Sequence, residues 1–190
     1  IIKQDLLDDL EHRNFIVCFV PKIDTATGRV AEAEAVVRYH HKDLGIVDPG
    51  RYINLLEETK LSHYLDLYVF EEVCKTLHRW ELEGIPLIPI AVNFAGATLK
   101  QESIAEKMLH LIEKYHVRCE YLEVEVSESS NDMNQEMLAE TSSKIRKANV
   151  RVILDHFGAK DSSFSILSLM EFDGLKLDKS LITNIVGNTR

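Results

Sequence analysis

The stretch Val30-Ala31-Glu32-Ala33-Glu34-Ala35-Val36-Val37-Arg38 decides how this chain is read. A turn at Thr27-Gly28 precedes it, and its small and β-branched residues mark a strand. Side chains alternate along a strand, so Glu34, Val36 and Arg38 share one face while Ala33, Ala35 and Val37 share the other. A carboxylate and a guanidinium on one face of an otherwise apolar strand are costly to bury without partners. Taken alone, they read as a structural ion pair with neighbouring strands. The rest of the chain changes that reading, because several later strand-like segments also end in a carboxylate, an amide or an amine.

Upstream, Phe15 to Val20 is a dense apolar segment that reads as a strand ended by Pro21. Asp24 to Gly28 turns the chain back, so the two strands are expected to pair antiparallel. Before them, Ile2, Leu6, Leu7 and Leu10 recur at helical spacing within 2–13, an amphipathic lead-in helix. Downstream, Asp48-Pro49 supplies an N-cap and a first-turn proline for a helix over 49–61. A longer helix is expected from Tyr64 to Glu83, with Leu67, Phe70, Val73, Cys74, Leu77 and Trp80 on one stripe and Gly84 closing it. The aromatic residues on that stripe read as core.

From there a single pattern recurs. Leu87 to Phe94 is a strand holding Asn93, and 101–116 a helix through Ile104, Met108, Leu111 and Ile112. Tyr121 to Ser127 is a strand holding Glu125, followed by a helix over 134–149. Val150 to Asp155 is a strand, 162–171 a helix, and Gly174 to Asp178 a short strand holding Lys176. Strands alternating with helices of this length indicate βαβ units and a parallel sheet. Asn93, Glu125 and Asp155 are about thirty residues apart, the length of one such unit, and each lies at or near the C-terminal end of its strand. The fold expected is therefore α/β, a (β/α) TIM-type barrel with an antiparallel first strand. The pattern contains six strand-like segments where a closed barrel has eight, so the last strands are expected beyond residue 190. Residues 1–190 are expected to form a single domain.

Composition narrows the function classes. A chain of 190 residues with 45% apolar content can build one full core. The formal net charge of −9 argues against binding a nucleic acid polymer, which depends on neutralising phosphates. It leaves room for a small phosphorylated ligand held by a local Arg or Lys. Cys18, Cys74 and Cys119 are far apart and form no metal-type pair, so each reads as a small core residue in a reducing compartment. No apolar run reaches the length of a membrane span, and the expected location is the cytoplasm, including the cytosolic part of a larger membrane-attached protein.

On a barrel, Glu34, Asn93, Glu125 and Asp155 would converge as carboxylates and one amide oxygen. Hard oxygen donors of this kind suit Mg²⁺ or Mn²⁺, and also Ca²⁺, and match zinc poorly. Lys176 could orient a water or stabilise phosphate charge, and Arg38 could grip a phosphate bidentately.

These motifs, in their order, resemble those of the EAL domain family of bacterial cyclic di-GMP phosphodiesterases and receptors. The residues that carry the resemblance are Glu34-Ala35-Val36-Val37-Arg38, Asn93-Phe94-Ala95, Glu125-Val126-Ser127-Glu128-Ser129, Asp155-His156-Phe157-Gly158 and Leu175-Lys176-Leu177-Asp178. Asp48-Pro49 through Glu57-Glu58-Thr59 resembles the family's helix after its second strand. The resemblance runs from about Phe15 to Ser180. It implies a barrel whose divalent metals activate water against one phosphodiester of cyclic di-GMP, giving the linear dinucleotide. By position it implies Glu34, Asn93, Glu125 and Asp155 as metal ligands, Glu34 and Lys176 as catalytic residues, and Arg38, Val36 and Asp178 as ligand-binding residues. It further implies a homodimer, or a partner signalling domain upstream of the sensor or diguanylate cyclase-like kind.

The departures from the family pattern carry their own expectations. Where the family has a second aspartate serving a second metal, this chain has His156, which joins the expected metal ligands as a neutral nitrogen donor in place of a charged oxygen. The loop usually written Gly-Thr-Gly-Tyr reads Gly158-Ala159-Lys160-Asp161, which bears on support of the metal-binding acid and on dimer contacts. Val20 stands where the family has a ligand-contacting glutamine, and Val36 replaces the leucine of the name motif. The family's late glutamate falls beyond residue 190. The change at Val36 is expected to be tolerated, while His156, the altered loop and Val20 together imply weak or lost hydrolysis, with a role as receptor or protein-interaction module. The retained Glu34, Asn93, Glu125, Asp155 and Lys176 imply the alternative, an active metal-dependent phosphodiesterase.

Overall fold

The computed structural model describes residues 8–10, 12, 14–41, 43–127, 135–159 and 165–183. Its first hairpin forms as the sequence dictates. Strand β1 (Phe15–Ile23) pairs antiparallel with β2 (Val30–His41), in a register that sets Cys18 opposite Val36 and Val20 opposite Glu34. The turn between them is held by Asp24, whose Oδ1 accepts from the amides of Ala26 and Thr27 at 2.9 and 2.7 Å, while Gly28 takes φ +68°. Pro21 does not end β1. The strand runs on to Ile23, because β1 is an edge strand and a missing amide there costs no ladder bond.

A short strand the periodicity does not reveal, β3 (Gly45–Val47), folds back antiparallel on the end of β2. Helix α1 (Pro49–Glu58) starts where expected, with Asp48 Oδ1 accepting from the Gly50 amide at 2.9 Å. Helix α2 (Ser62–Leu82) follows, and Gly84 at φ +69° turns the chain out of it. The next strand, β4 (Ile90–Phe94), is shorter than the apolar run suggests. Then come α3 (Gly96–Leu99), α4 (Ile104–Lys114), β5 (Leu122–Ser127), α5 (Gln135–Lys147) and β6 (Arg151–Phe157). The described chain closes with α6 (Ser165–Leu169), β7 (Gly174–Leu177) and α7 (Lys179–Ile182). Most of the expected lead-in helix and the start of the helix over 162–171 lie outside the described residues; of the former, residues 8–10 are helical.

Among the described residues the strands form one seven-stranded sheet in the order β1-β2-β4-β5-β6-β7, with β3 attached to β2. From β2 to β7 every neighbouring pair is parallel, as helical crossovers require. The described sheet is an arc of a barrel whose two edges are β1 and β7.

Alternation then sorts the side chains. Ile90, Val92 and Phe94 of β4, Leu122, Val124 and Val126 of β5, and Val152 and Leu154 of β6 are buried against the helices. Phe15 stacks on Tyr39 with centroids 4.4 Å apart, and Tyr52 of α1 meets both edge-on at 5.7 Å, so one aromatic cluster clamps β1, β2 and α1. Trp80 packs partly buried on Phe19 at 5.9 Å. Cys74 is fully buried, with desolvation pushing its thiol up to about 12. Cys18 is exposed instead of core-forming, because it sits on the inward face of an edge strand. The residues of opposite parity point into the arc. They are mostly polar.

Candidate active site

The inward positions build two connected layers of charge. At the lower end are Glu32 of β2, Glu123 of β5 and Arg151 of β6, with Lys22 of β1 beside them. Arg151 Nη1 donates to Glu32 at 3.0 Å and also to Glu123, while the Lys22 ammonium lies 3.6 Å from each of the same carboxylates. Glu123 is almost wholly buried, and desolvation together with Glu32 pushes its pKa up against the pull of Arg151 and Lys22.

Above this layer stand the residues singled out from the sequence. Parallel pairing sets Asn93 directly beside Glu125, and Ser127 beside Asp155. Glu34 lies beside Ala91, one inward step below Asn93. Lys176 of β7 reaches across all of them: its Nζ is 2.7 Å from Glu125 Oε2, 3.1 Å from Glu34 Oε2 and 3.5 Å from Asp155 Oδ2. Asn93 Nδ2 donates to Glu34 Oε1 at 2.8 Å. Glu125, fully buried, takes a second ammonium on its other oxygen, from Lys22 at 2.8 Å.

Burial alone would lower the Lys176 pKa, yet the surrounding Glu125, Asp155 and Glu34 hold its ammonium above the ordinary lysine value. Burial would likewise raise Glu34, but the Asn93 amide and Lys176 hold its carboxyl below the usual range. Oxygen donors surround the ammonium, which is the donor chemistry of Mg²⁺ or Mn²⁺. With the side chains as they stand, Lys176 holds the carboxylates around itself. Among the described residues no group of three or more His, Cys, Asp or Glu side chains closes on one point. The donors fit such an ion in kind, and holding one requires Lys176 to yield its place.

Past Asp155 the backbone takes an unusual course. His156 has φ +57°, and the β6–β7 register shifts between Leu154 and Phe157. Asp155 Oδ1 accepts from the His156 amide at 2.7 Å, and His156 Nδ1 lies 3.1 Å from Asp155 Oδ2 on the solvent side. Gly158, at φ +87°, packs against Leu181 of α7. Of the unusual loop, Lys160 and Asp161 lie outside the described residues, as do Glu128 and Ser129.

A cavity of about 500 Å³ opens beside this cluster, lined among others by Val36, Arg38, Glu57, Asn93, Asp155 and His156. Arg38 is exposed and donates from Nη1 to its neighbour's carbonyl, Val37 O, at 3.0 Å. Val20, paired with Glu34, presents an apolar side chain 47% exposed. Asp178 is not brought to this wall: its carboxylate caps α7 by accepting from the Ser180 amide at 2.8 Å, and the Ser180 hydroxyl and amide hold its pKa low.

Two residues of the site escaped the sequence reading. Lys22 was hidden because Pro21 reads as a strand end; once β1 continues, Lys22 falls in register with Glu32 and on the inward face. Asp66 of α2 lines the cavity, and desolvation raises its pKa to about 7, against hydrogen bonds from Thr98 and Ala95. Its signal was a carboxylate four residues before Phe70 on the buried stripe.

The EAL domain model matches residues 3–190. The cyclic di-GMP phosphodiesterase NbdA of Pseudomonas aeruginosa is 28% identical over 189 residues, covering 100% of this chain and 24% of that protein. The probable cyclic di-GMP phosphodiesterase PdeB of Escherichia coli is 30% identical over 177 residues, 93% of this chain and 34% of that protein. The chain thus spans between a quarter and about a third of the length of these relatives. Among solved structures, the PaMucR phosphodiesterase in complex with c-di-GMP superposes with a TM-score of 0.85 at 24% identity, over 98% of this chain and 75% of that one. The Xanthomonas citri FimX EAL domain in complex with c-diGMP gives 0.84 at 18% identity, over 97% and 72%. Both likenesses concern the fold, and they bear out the barrel-type α/β architecture.

Proposed function

The chain belongs to the EAL domain family, and on that premise we propose that it is a cyclic di-GMP signalling domain that binds the dinucleotide with weak or no hydrolysis. Residues 1–190 are read as one such domain, acting in the cytoplasm as a receptor or protein-interaction regulator, paired with a second copy or with a partner signalling domain. In support, among the described residues no helix is long and apolar enough to cross a membrane. The observation that carries the reading is the imidazole after Asp155. His156 Nδ1 lies 3.1 Å from Asp155 Oδ2 at the position where the family has a second aspartate. Replacing a charged oxygen donor by a neutral nitrogen would weaken the hold on the second ion of a two-metal displacement, because imidazole suits Mg²⁺ poorly.

Glu34, Asn93, Glu125 and Asp155, with His156 as a nitrogen donor beside them, are the residues that would hold a divalent ion. When bound, such an ion acidifies a water and polarises the scissile phosphoryl oxygen. The protein's own contributions are distinct. Arg38, on the cavity wall, would pair with a ligand phosphate, and Val36 would pack against the ligand beside it. Lys176, released from Glu125 and Glu34, would place its ammonium against negative charge developing on phosphate. Asp178 enters this reading only through the α7 cap that holds the segment after Lys176.

A second reading, the active phosphodiesterase, is favoured by the contacts of Glu34, Glu125 and Asp155 with Lys176 and of Asn93 with Glu34. Calorimetric titration with cyclic di-GMP, with and without Mn²⁺, followed by analysis of the products, separates the two. Binding without turnover is expected. Rapid, Mn²⁺-dependent release of the linear dinucleotide would establish the active enzyme instead, and absence of any binding would leave only a protein-interaction role.

A further inference from the structure

We propose that Asp66 is a positioning residue: from helix α2 it fixes the turn after β4 and thereby the orientation of the Asn93 side chain. Helix α2 grips the end of β4 at two points one turn apart. Phe70 packs edge-on against Phe94 with centroids 5.8 Å apart, and Asp66 Oδ2 accepts from the Ala95 amide at 3.0 Å and from Thr98 Oγ1 at 2.5 Å. Ala95 starts α3, and its carbonyl accepts from the Thr98 amide at 2.9 Å, so one carboxylate oxygen ties both ends of this turn. Thr98 is fully buried and has no water to fall back on.

Asn93 stands two residues before Ala95 with a fully buried Val92 on one side and a buried Phe94 on the other. Among the described residues its own side chain bonds Glu34, at 2.8 Å. The direction of the Asn93 amide therefore depends on the backbone of Phe94 and Ala95, and among the described residues Asp66 is the side chain that bonds that backbone from outside the strand. Asp66, Asn93, Phe94 and Ala95 line the same cavity, so a loosened turn alters both its wall and its amide. What the turn requires is an acceptor oxygen. Burial raises the Asp66 pKa to about 7, so near neutrality much of it is an uncharged acid whose carbonyl oxygen still accepts.

The consequence for ligand rests on the reading of this site as a cyclic di-GMP site, so the test has one arm with ligand and one without. In Asp66→Leu, the Ala95 amide should exchange with solvent about 10-fold faster and the Asn93 side-chain amide signals should lose their hydrogen-bonded shift, while Val124 and Val152 exchange as before. Affinity for Mn²⁺ alone and for cyclic di-GMP should each fall about 10-fold. Asp66→Asn, which keeps an acceptor oxygen, should retain affinity and exchange within about 3-fold of the parent, and Thr98→Val should fall between. Faster Ala95 exchange with unaltered Asn93 signals would make Asp66 a structural tie only and overturn the proposal. An Asp66→Asn variant as impaired as Asp66→Leu would overturn it too. If the parent protein binds neither Mn²⁺ nor cyclic di-GMP, the functional reading fails, and the Asn93 signals in Asp66→Leu still decide the role of Asp66. Should Asp66→Leu not fold, Thr98→Val and Asp66→Asn decide by the same signals.

Discussion

The ammonium of Lys176 sits 2.7 Å from Oε2 of Glu125, a carboxylate fully withdrawn from solvent. Breaking one side of a buried ion pair costs about 3–5 kcal/mol when the remaining charge is stranded. Here Lys22 still holds the other Glu125 oxygen, so Lys176→Met should destabilise by about 2 kcal/mol in urea unfolding. The same variant frees Glu34, Glu125 and Asp155 to face a cation. Its thermal midpoint should rise more on adding Mn²⁺ than the parent's does. An equal rise in both would show that Lys176 does not stand in the ion's place.

His156 already has φ +57°, a conformation aspartate tolerates better than most residues. His156→Asp should therefore fold normally while restoring a charged oxygen beside Asp155. Under the impaired reading, release of linear dinucleotide in Mg²⁺ should rise at least about 10-fold over the parent. A parent that turns over well and a variant that gains nothing would refute the account of His156.

Glu34 accepts from Asn93 and pairs with Lys176, and both partners are partly open to water. Glu34→Ala should cost stability by no more than about 1 kcal/mol, as expected for a half-exposed pair. Mn²⁺ affinity and any residual hydrolysis should nevertheless be lost. Unchanged Mn²⁺ binding, read by electron paramagnetic resonance of the free ion, would place the cation elsewhere.

Gly158 combines φ +87° with contact against Leu181, where an added Cβ would fall 2.1 Å from a side-chain methyl. Gly158→Ala must strain the backbone and push Leu181 aside, at about 1–2 kcal/mol. A lowered thermal midpoint is expected, and Leu181→Ala in the same chain should recover part of it. No recovery would locate the whole cost in the backbone.

Asp66 makes stability depend on pH in an uncommon direction. Desolvation raises its folded pKa to about 7, against an ordinary value of 3.8, so between these limits the folded protein holds a proton that the unfolded chain has released. Its contribution to stability is therefore greatest at low pH and declines as pH rises from about 4 to 7. Asp66→Asn removes that slope. The difference in unfolding free energy between parent and variant should grow in the parent's favour as pH falls from 8 to 5, measured by urea at each pH. A flat difference would show that Asp66 is ionised throughout.

Much of this protein was determined by the sequence alone. Alternation along β2 put Glu34 and Arg38 on one face, the strand–helix rhythm implied the parallel sheet, and spacing set Asn93, Glu125 and Asp155 at or near strand ends, with Asn93 level with Glu125 and Asp155 one inward step beyond. These are local properties: side-chain parity and repeat length follow from backbone geometry and need no knowledge of the partner strand. Only the tertiary structure decided the rest. That Pro21 lies within a strand depends on β1 being an edge. That Lys22 shares Glu125 with Lys176, and Asp66 the turn after Asn93, depends on contacts across 103 and 29 residues. A hydrogen bond between distant segments is set by register and helix placement. Both are fixed by how the whole core packs, and no short window of sequence contains that information.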